Sequence, residues 1–142
     1  MIQPKEDSLE AGQSMVITIT VLNSSSAQLV MTQGALTAGG WDGQPPVPGT
    51  TMQAGPTSFV NDSQTAFGSA GGYITLSPAG GGSISMSWNW SPGQALIAYG
   101  SLSGTNAILL SYNVTGVSTF HPTVTYVITD PGGFGDSTGE IR

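Results

Sequence analysis

The sequence predicts an all-β protein, a single-domain antiparallel β-sandwich of about eight short strands. Apolar and polar residues alternate in several short segments, most clearly in "MVITITVL" at residues 15–22 and "PTVTYVIT" at residues 122–129. A period of two places alternate side chains on opposite faces of a strand. Charged residues make up only 7% of the chain. Because Lys, Glu and Arg are among the good helix formers, any helix in this chain is expected to be short.

The predicted strands are residues 15–22, 28–33, 57–61, 72–77, 83–90, 95–99, 106–114 and 122–129. In the first strand the apolar residues at odd positions, Met15 to Val21, share one face. In the last strand Val124, Tyr126 and Ile128 share one face and mainly threonines share the other. The turn signal Asn23–Ser26 separates the first strand from the second, and Gly55-Pro56 precedes the third. Between the second and third strands lies the longest irregular stretch, Gly39–Gly55, which is rich in proline.

The fourth and fifth strands, "GYITLS" and "SISMSWNW", flank the triple glycine Gly80–Gly82. Ser91-Pro92-Gly93 ends the fifth strand, and we interpret Gly100–Gly104 as a glycine-rich turn between the sixth and seventh. The eighth strand begins at Pro122. All 142 residues are assigned to one domain, whose segments 1–12 and 130–142 are expected to be less ordered.

The charge distribution excludes two classes of partner. The chain carries 2 basic and 8 acidic residues, a net charge of −6, and its only basic residues are Lys5 and Arg142. Binding to a phosphate backbone requires several Lys or Arg side chains, so nucleic acid is excluded as a partner. Attraction of a polybasic patch to an anionic membrane is excluded for the same reason.

Cysteine is absent, which removes disulfides, thiolate nucleophiles and cysteine-based zinc sites. No apolar run approaches the about 18 residues of a membrane-spanning helix. The N-terminus lacks the apolar stretch of a signal peptide. We expect a protein that is secreted or released without a recognisable signal peptide.

Candidates for catalysis are few. The single histidine, His121, precedes Pro122 in an extended context, and no nucleophile-elbow Gly-x-Ser-x-Gly sequence accompanies it. Asp42 and Asp62 are the only acids between the terminal segments, and both lie in turn contexts where Asp bonds its own backbone. The acids near the C-terminus, which begin at Asp130, lack the spacing of a calcium loop. We predict a protein that is not an enzyme and binds no metal or cofactor.

Aromatic rings with neighbouring hydroxyl and amide groups are the chemistry that remains, and they suit a lipid head group, a membrane interface or a sugar ring. Trp41 lies between two glycine pairs in a loop, beside Asp42. Alternation with Ile84 and Met86 favours the core for Trp88, whereas Trp90 lies at the strand end. The predicted ligand-binding residues are Trp41, Asp42, Tyr73, Trp88, Trp90 and Tyr99.

The order of these segments resembles the aegerolysin family, in particular its crystal-protein-like branch. The residues that carry the resemblance are Gly40-Trp41, Pro45-Pro46, Gly55, Phe59, Phe67, Gly71-Gly72, Tyr73 and Trp88–Pro92. The chain departs from the family pattern where Asn89 or Ser91 replaces an acid, and where Ser69–Gly72 lacks a glutamate. The resemblance implies an actinoporin-like β-sandwich that recognises membrane lipids, often sphingolipids. It also implies a cytolysin or insecticidal toxin, with a pore-forming partner protein in some members.

Two alternatives remain open at the level of sequence. A carbohydrate-binding module or lectin would use the same aromatic residues against a glycan. A structural or adhesin-type sandwich would instead pack all three tryptophans inside. The sequence does not indicate an oligomeric state.

Overall fold

A computed structural model describes residues 14–65, 68–105, 108–117 and 119–131. The predicted less-ordered segment 1–12 and nearly all of segment 130–142 lie outside these ranges. The described residues form ten strands: β1 (Val16–Ser24), β2 (Leu29–Ala38), β3 (Gly40–Trp41), β4 (Thr51–Met52), β5 (Gly55–Asp62), β6 (Ala70–Pro78), β7 (Ser83–Trp90), β8 (Ile97–Ser103), β9 (Leu109–Thr115) and β10 (Thr123–Thr129). No helix among them is long and apolar enough to cross a membrane.

The strands form two five-stranded sheets, which we call sheet A, in the order β3-β5-β1-β10-β9, and sheet B, in the order β4-β2-β6-β7-β8. All pairings are antiparallel except that of β1 with β10, where Thr18 lies beside Thr123. The all-β sandwich class is therefore confirmed. The arrangement is mostly antiparallel, as predicted, and the one parallel pair is β1 with β10, which lie side by side in the middle of sheet A and run in the same direction.

The inward faces of the two sheets bury one hydrophobic core. It contains the odd-numbered apolar residues of β1, the even-numbered ones of β6 and β7, and those of β10. Its fully buried members include Ile17, Ile19, Ile74, Leu76, Ile84, Met86, Trp88, Tyr126 and Ile128. The period-two pattern placed the side chains of β1, β7 and β10 correctly, because a central strand with one buried face must alternate.

The structure corrects the prediction of eight strands in two places. The segment Gly39–Gly55 contains the two-residue edge strands β3 and β4, which are too short to produce a periodic pattern. Gly39 has a φ of 79° and lies against the Asp62 carbonyl, so the chain can turn there from sheet B into sheet A. Residues Gly100–Ser103, predicted as a turn, belong to β8, and the turn begins only at Gly104, with a φ of 72°.

The two sheets meet along one flank, where the edge strands β8 and β9 face each other. Gly100 allows this close approach, since a Cβ atom there would lie 2.8 Å from Leu110 Cδ2 and 3.2 Å from Tyr112 Cδ1. At the start of the C-terminal segment, Asp130 accepts hydrogen bonds from the Ser26 backbone at 3.0 and 3.1 Å. Asp130 is thus held in place, although it belongs to the segment predicted to be less ordered.

Candidate functional site

Trp88 lies in the core and is only 2% exposed. Its indole Nε1 donates to Asn61 Oδ1 at 2.9 Å, and Asn61 is itself fully buried. The alternation of β7 therefore assigned Trp88 to the core correctly. The indole N–H already has a hydrogen-bond partner and the ring is buried, so Trp88 cannot contact a ligand at the surface. The structure therefore does not support Trp88 as a ligand-binding residue.

Trp41 is not in a loop, as the flanking glycines suggested, but in the edge strand β3, where it pairs with Asn61. Its ring packs edge-on against Phe59 at 6.1 Å and against Trp88 at 6.2 Å between ring centroids. The side chain is partly buried against the core. Trp41 therefore closes the sandwich on one side and still presents part of its ring to solvent.

Trp90 is the last residue of β7 and pairs with Ala70 at the start of β6. It is partly buried, which agrees with the prediction that Pro92 and Gly93 end the strand at the sheet rim. Asp42 is exposed, and its backbone N–H donates to the Val60 carbonyl at 2.8 Å.

Tyr73 and Tyr99 lie in one row across the outer face of sheet B, because both pair with Ser87 from opposite sides. Neighbouring strands are about 4.8 Å apart, so the two backbones are separated by about 10 Å. Tyr99 is 58% exposed and meets Tyr112 of β9 edge-on, at 6.4 Å between centroids. The structure thus places Tyr73 and Tyr99 on a different surface from Trp41.

Tyr112 also contacts Tyr126, at 5.9 Å between centroids. Tyr126 is buried, and its hydroxyl donates to the Ser87 carbonyl. Burial raises the pKa of this hydroxyl well above its ordinary value, and the proximity of Tyr112 raises it further. The three tyrosines form a continuous aromatic row over the β8–β9 flank.

One end of the sandwich, which we call the tip, carries the β5–β6, β7–β8 and β9–β10 connections. In sheet A, Asp62 at the end of β5 pairs with Val16 at the start of β1, and the Val16 N–H donates to the Phe120 carbonyl at 2.8 Å. In sheet B, Ala70 pairs with Trp90. The chain from Asp62 to Ala70 joins the two sheets here, so all three connections lie at the same end.

The tip exposes apolar side chains. Ile97, the first residue of β8, and Val117, in the β9–β10 connection, are each 63% exposed. Trp41 and Trp90 lie partly buried at the same end. Sequence reasoning missed Ile97 and Val117, because an isolated apolar residue next to a turn does not reveal whether it packs inward.

The described residues carry almost no charge. Their acids are Asp42, Asp62 and Asp130, and they include no Lys or Arg. Asp62 Oδ1 accepts from the Gln64 backbone N–H at 2.7 Å, which confirms the turn interpretation of this residue. Within the described ranges, no group of three metal-binding side chains comes together.

Neither a protein-family model nor a curated protein sequence matches the chain. Two solved structures resemble it. The lipid-binding protein Nakanori has a TM-score of 0.61 at 12% identity, over 80% of this chain and 70% of its own. IP-1A from Alcaligenes faecalis has a TM-score of 0.62 at 9% identity, over 84% of this chain and 94% of its own. At these identities the likeness establishes a related fold.

Proposed function

We propose that this protein is a non-enzymatic, membrane-lipid-binding β-sandwich that contacts the bilayer with its tip. The observation that carries the proposal is that the exposed apolar side chains Ile97 and Val117 lie at the same end of the sandwich as the partly buried Trp41 and Trp90. Tryptophan at a membrane interface has one apolar and one hydrated end, and this position suits that role. The related fold of the lipid-binding protein Nakanori supports the same function class.

The energy of such a contact is modest. Full burial of an isoleucine or valine side chain contributes about 1.5–3 kcal/mol. Because Ile97 and Val117 are each 63% exposed, the two together contribute at most about 2–4 kcal/mol. A binding free energy of this size corresponds to reversible binding at the membrane interface. Contacts of the aromatic rings and of a lipid head group would increase it.

The head group is expected to be neutral or zwitterionic, because the described residues offer no Lys or Arg to an anionic lipid. The aegerolysin resemblance adds three finer elements to the proposal: a sphingolipid preference, a cytolytic or insecticidal role, and a pore-forming partner protein. A protein acting on membranes in this way would work outside the cell that makes it.

The test is sedimentation with vesicles of sphingomyelin, phosphatidylcholine and cholesterol, compared with phosphatidylcholine alone. The double variant I97S/V117S should bind at least about tenfold more weakly, since it removes more than the 1.4 kcal/mol that corresponds to a factor of ten. The matched control is Leu109→Ser. Leu109 is 51% exposed but starts β9 at the opposite end of the sandwich, so this variant should bind like the wild type.

Two results would overturn the proposal. If folded wild-type protein binds none of the vesicles, the function is wrong. If I97S/V117S binds as well as L109S, the tip is not the contact surface.

A further inference from the structure

The flank formed by β8 and β9 has two strand edges without a partner among the described residues. Each strand is the last of its sheet and is seven residues long. The rings of Tyr99 and Tyr112 meet across the flank, but the two strands do not pair with each other. An edge strand directs the N–H and C=O groups of about half its residues away from its sheet. These groups are open to pairing with a further strand.

The opposite flank is covered instead. Its outermost strands, β3 and β4, are only two residues long, and the segment between them is tied to both sheets. The Asp42 N–H donates to the Val60 carbonyl of sheet A at 2.8 Å. The Gly49 N–H donates to the Met31 carbonyl of sheet B at 2.7 Å. Among the described residues, no loop makes such a backbone bond to β8 or β9.

Both edge strands lack the features that usually protect such edges. Proteins block edges with charged side chains, prolines or β-bulges. β8 and β9 contain no charged residue and no proline. Their ladders with β7 and β10 run without a register shift, whereas the β2–β6 ladder has two. The two edges are therefore suited to pairing with another chain.

The same flank exposes apolar side chains. Six large apolar side chains are exposed among the described residues, and all but one of them lie on or beside β8 and β9. Two of these, Ile97 and Val117, belong to the tip. Tyr99, Leu109 and Tyr112 lie along the flank, away from the tip. Contact between the tip and a membrane does not account for their exposure.

We propose that this flank binds a second copy of the chain and forms a weak, symmetric dimer. β8 runs away from the tip and β9 runs toward it. A twofold axis parallel to the strands therefore places β8 of each copy antiparallel to β9 of the other. Two antiparallel ladders form at once, sheet A of each copy continues into sheet B of the other, and both tips point in the same direction.

A second copy fits this flank better than an unrelated strand. A single foreign strand pairs with β8 or with β9 and leaves the other edge open. A second copy presents two edges at the matching spacing, because its own sheets are the same distance apart. No charge opposes the contact within the described ranges, since the acids Asp42, Asp62 and Asp130 lie outside both strands.

The size of the interface predicts a weak dimer. Seven residues of a strand span about 23 Å, and two sheets about 10 Å apart are about 20 Å thick with their side chains. The flank therefore offers about 450 Å² per copy, or about 900 Å² in total. Stable interfaces bury about 1,200–2,000 Å² in total, and smaller ones belong to transient complexes. We expect dimers at high protein concentration and monomers in dilute solution.

The first test is sedimentation velocity of the wild type without lipid, from about 1 µM to about 1 mM protein. The weight-average mass should rise with concentration from the mass of the monomer toward twice that value. A mass that stays at the monomer throughout overturns the proposal. A mass that grows beyond the dimer also overturns it, because the twofold arrangement uses both edges of each copy.

The second test places charges on both edges. Ser101 of one copy and Ser111 of the other lie on the same face of the joined sheet, so S101K/S111K brings like charges together across both ladders. This double variant should dimerise at least about tenfold more weakly while its thermal unfolding shows that it is folded.

The matched control is S58K/S85K, which adds the same two charges at exposed serines of β5 and β7, away from the flank. The control should dimerise like the wild type. Equal dimerisation of the two folded double variants would show that β8 and β9 do not form the interface.

Discussion

At the scale of single residues, Asn61 connects the core to the place where the chain changes sheets. Its amide accepts from Trp88 Nε1 at 2.9 Å and donates to the carbonyls of Ala38 and Gly40, at 3.2 and 3.3 Å. These two carbonyls flank Gly39, where the chain passes from sheet B to sheet A. One buried amide therefore partners the buried Trp88 N–H and two half-buried carbonyl groups.

Replacing Asn61 by alanine should destabilise the protein by about 2–4 kcal/mol, because each buried group left without a partner costs about 1–3 kcal/mol. The free energy of unfolding in urea measures this effect. The control Asn113→Ala removes an exposed asparagine and should change the free energy by less than about 0.5 kcal/mol. An N61A variant as stable as N113A would contradict the role assigned to this amide.

Tyr126 makes stability depend on pH in the alkaline range. Burial raises its pKa in the folded state, whereas in the unfolded state it ionises near its ordinary value of about 10. Above pH 10 the folded state holds a proton that the unfolded state has lost, so the free energy of unfolding falls as pH rises. The limit for one group is about 1.4 kcal/mol per pH unit.

Urea unfolding at pH 8 to 11 tests this dependence by comparing the wild type with Tyr126→Phe. The variant should be less stable at pH 8, because it leaves the Ser87 carbonyl without its hydroxyl partner. It should also lose less stability than the wild type between pH 10 and 11. Equal slopes in the two proteins would show that Tyr126 is not the titrating group.

At the scale of strands, glycines in β6 make room for the ring of Trp88. Gly72 pairs with Trp88 across the β6–β7 ladder. A Cβ atom at position 72 would lie 2.8 Å from Trp88 Cζ2 and 2.7 Å from the Ala35 carbonyl oxygen. Because the second contact is with backbone, it cannot be relieved by a change of rotamer.

Gly72→Ala should therefore destabilise the protein by about 1–3 kcal/mol, the usual cost of overpacking a core. Thermal unfolding measures the change, and a red shift of tryptophan emission would report displacement of Trp88. Gly80→Ala is the matched control, since a Cβ atom there would meet nothing within 4 Å. If G72A and G80A melt together, the fit of Trp88 against β6 is looser than the distances indicate.

At the scale of the whole molecule, the described sandwich is held together without ion pairs, since it contains no Lys or Arg. Its stability comes from apolar burial and from hydrogen bonds between the strands. The absence of Lys and Arg among the described residues also limits which ligands the surface can attract. A membrane must be recognised by apolar, aromatic and hydroxyl contacts, which salt screens little.

Vesicle binding should accordingly be almost independent of ionic strength, with less than about a twofold change between about 50 mM and 500 mM NaCl. Sedimentation with the sphingomyelin vesicles at both salt concentrations measures it. A protein attracted by basic side chains would lose about 1 kcal/mol per Lys or Arg contact as the surface potential is screened. A large loss of binding at high salt would point to Lys5 or Arg142.

The sequence by itself determined the sandwich class, the existence and approximate places of the eight longer strands, the inward faces of β1, β7 and β10, and the near-absence of basic side chains. These follow from local periodicity and composition, which need no knowledge of neighbours. Local sequence also predicted the two tryptophans of β7. Alternation with Ile84 and Met86 predicted Trp88 in the core, and Pro92 predicted Trp90 at the strand end.

Only the tertiary structure decided the rest, because it depends on pairings between distant segments. Trp41 lies in β3 since β5 offers a free edge there, and Trp41 packs on Trp88 through that pairing. Tyr112 meets Tyr99 and Tyr126 because β9 faces β8 and pairs with β10. Ile97 and Val117 lie at the same end of the molecule only because the two sheets end together there. A period of two fixes the face of a side chain, but register and sheet order fix its neighbours.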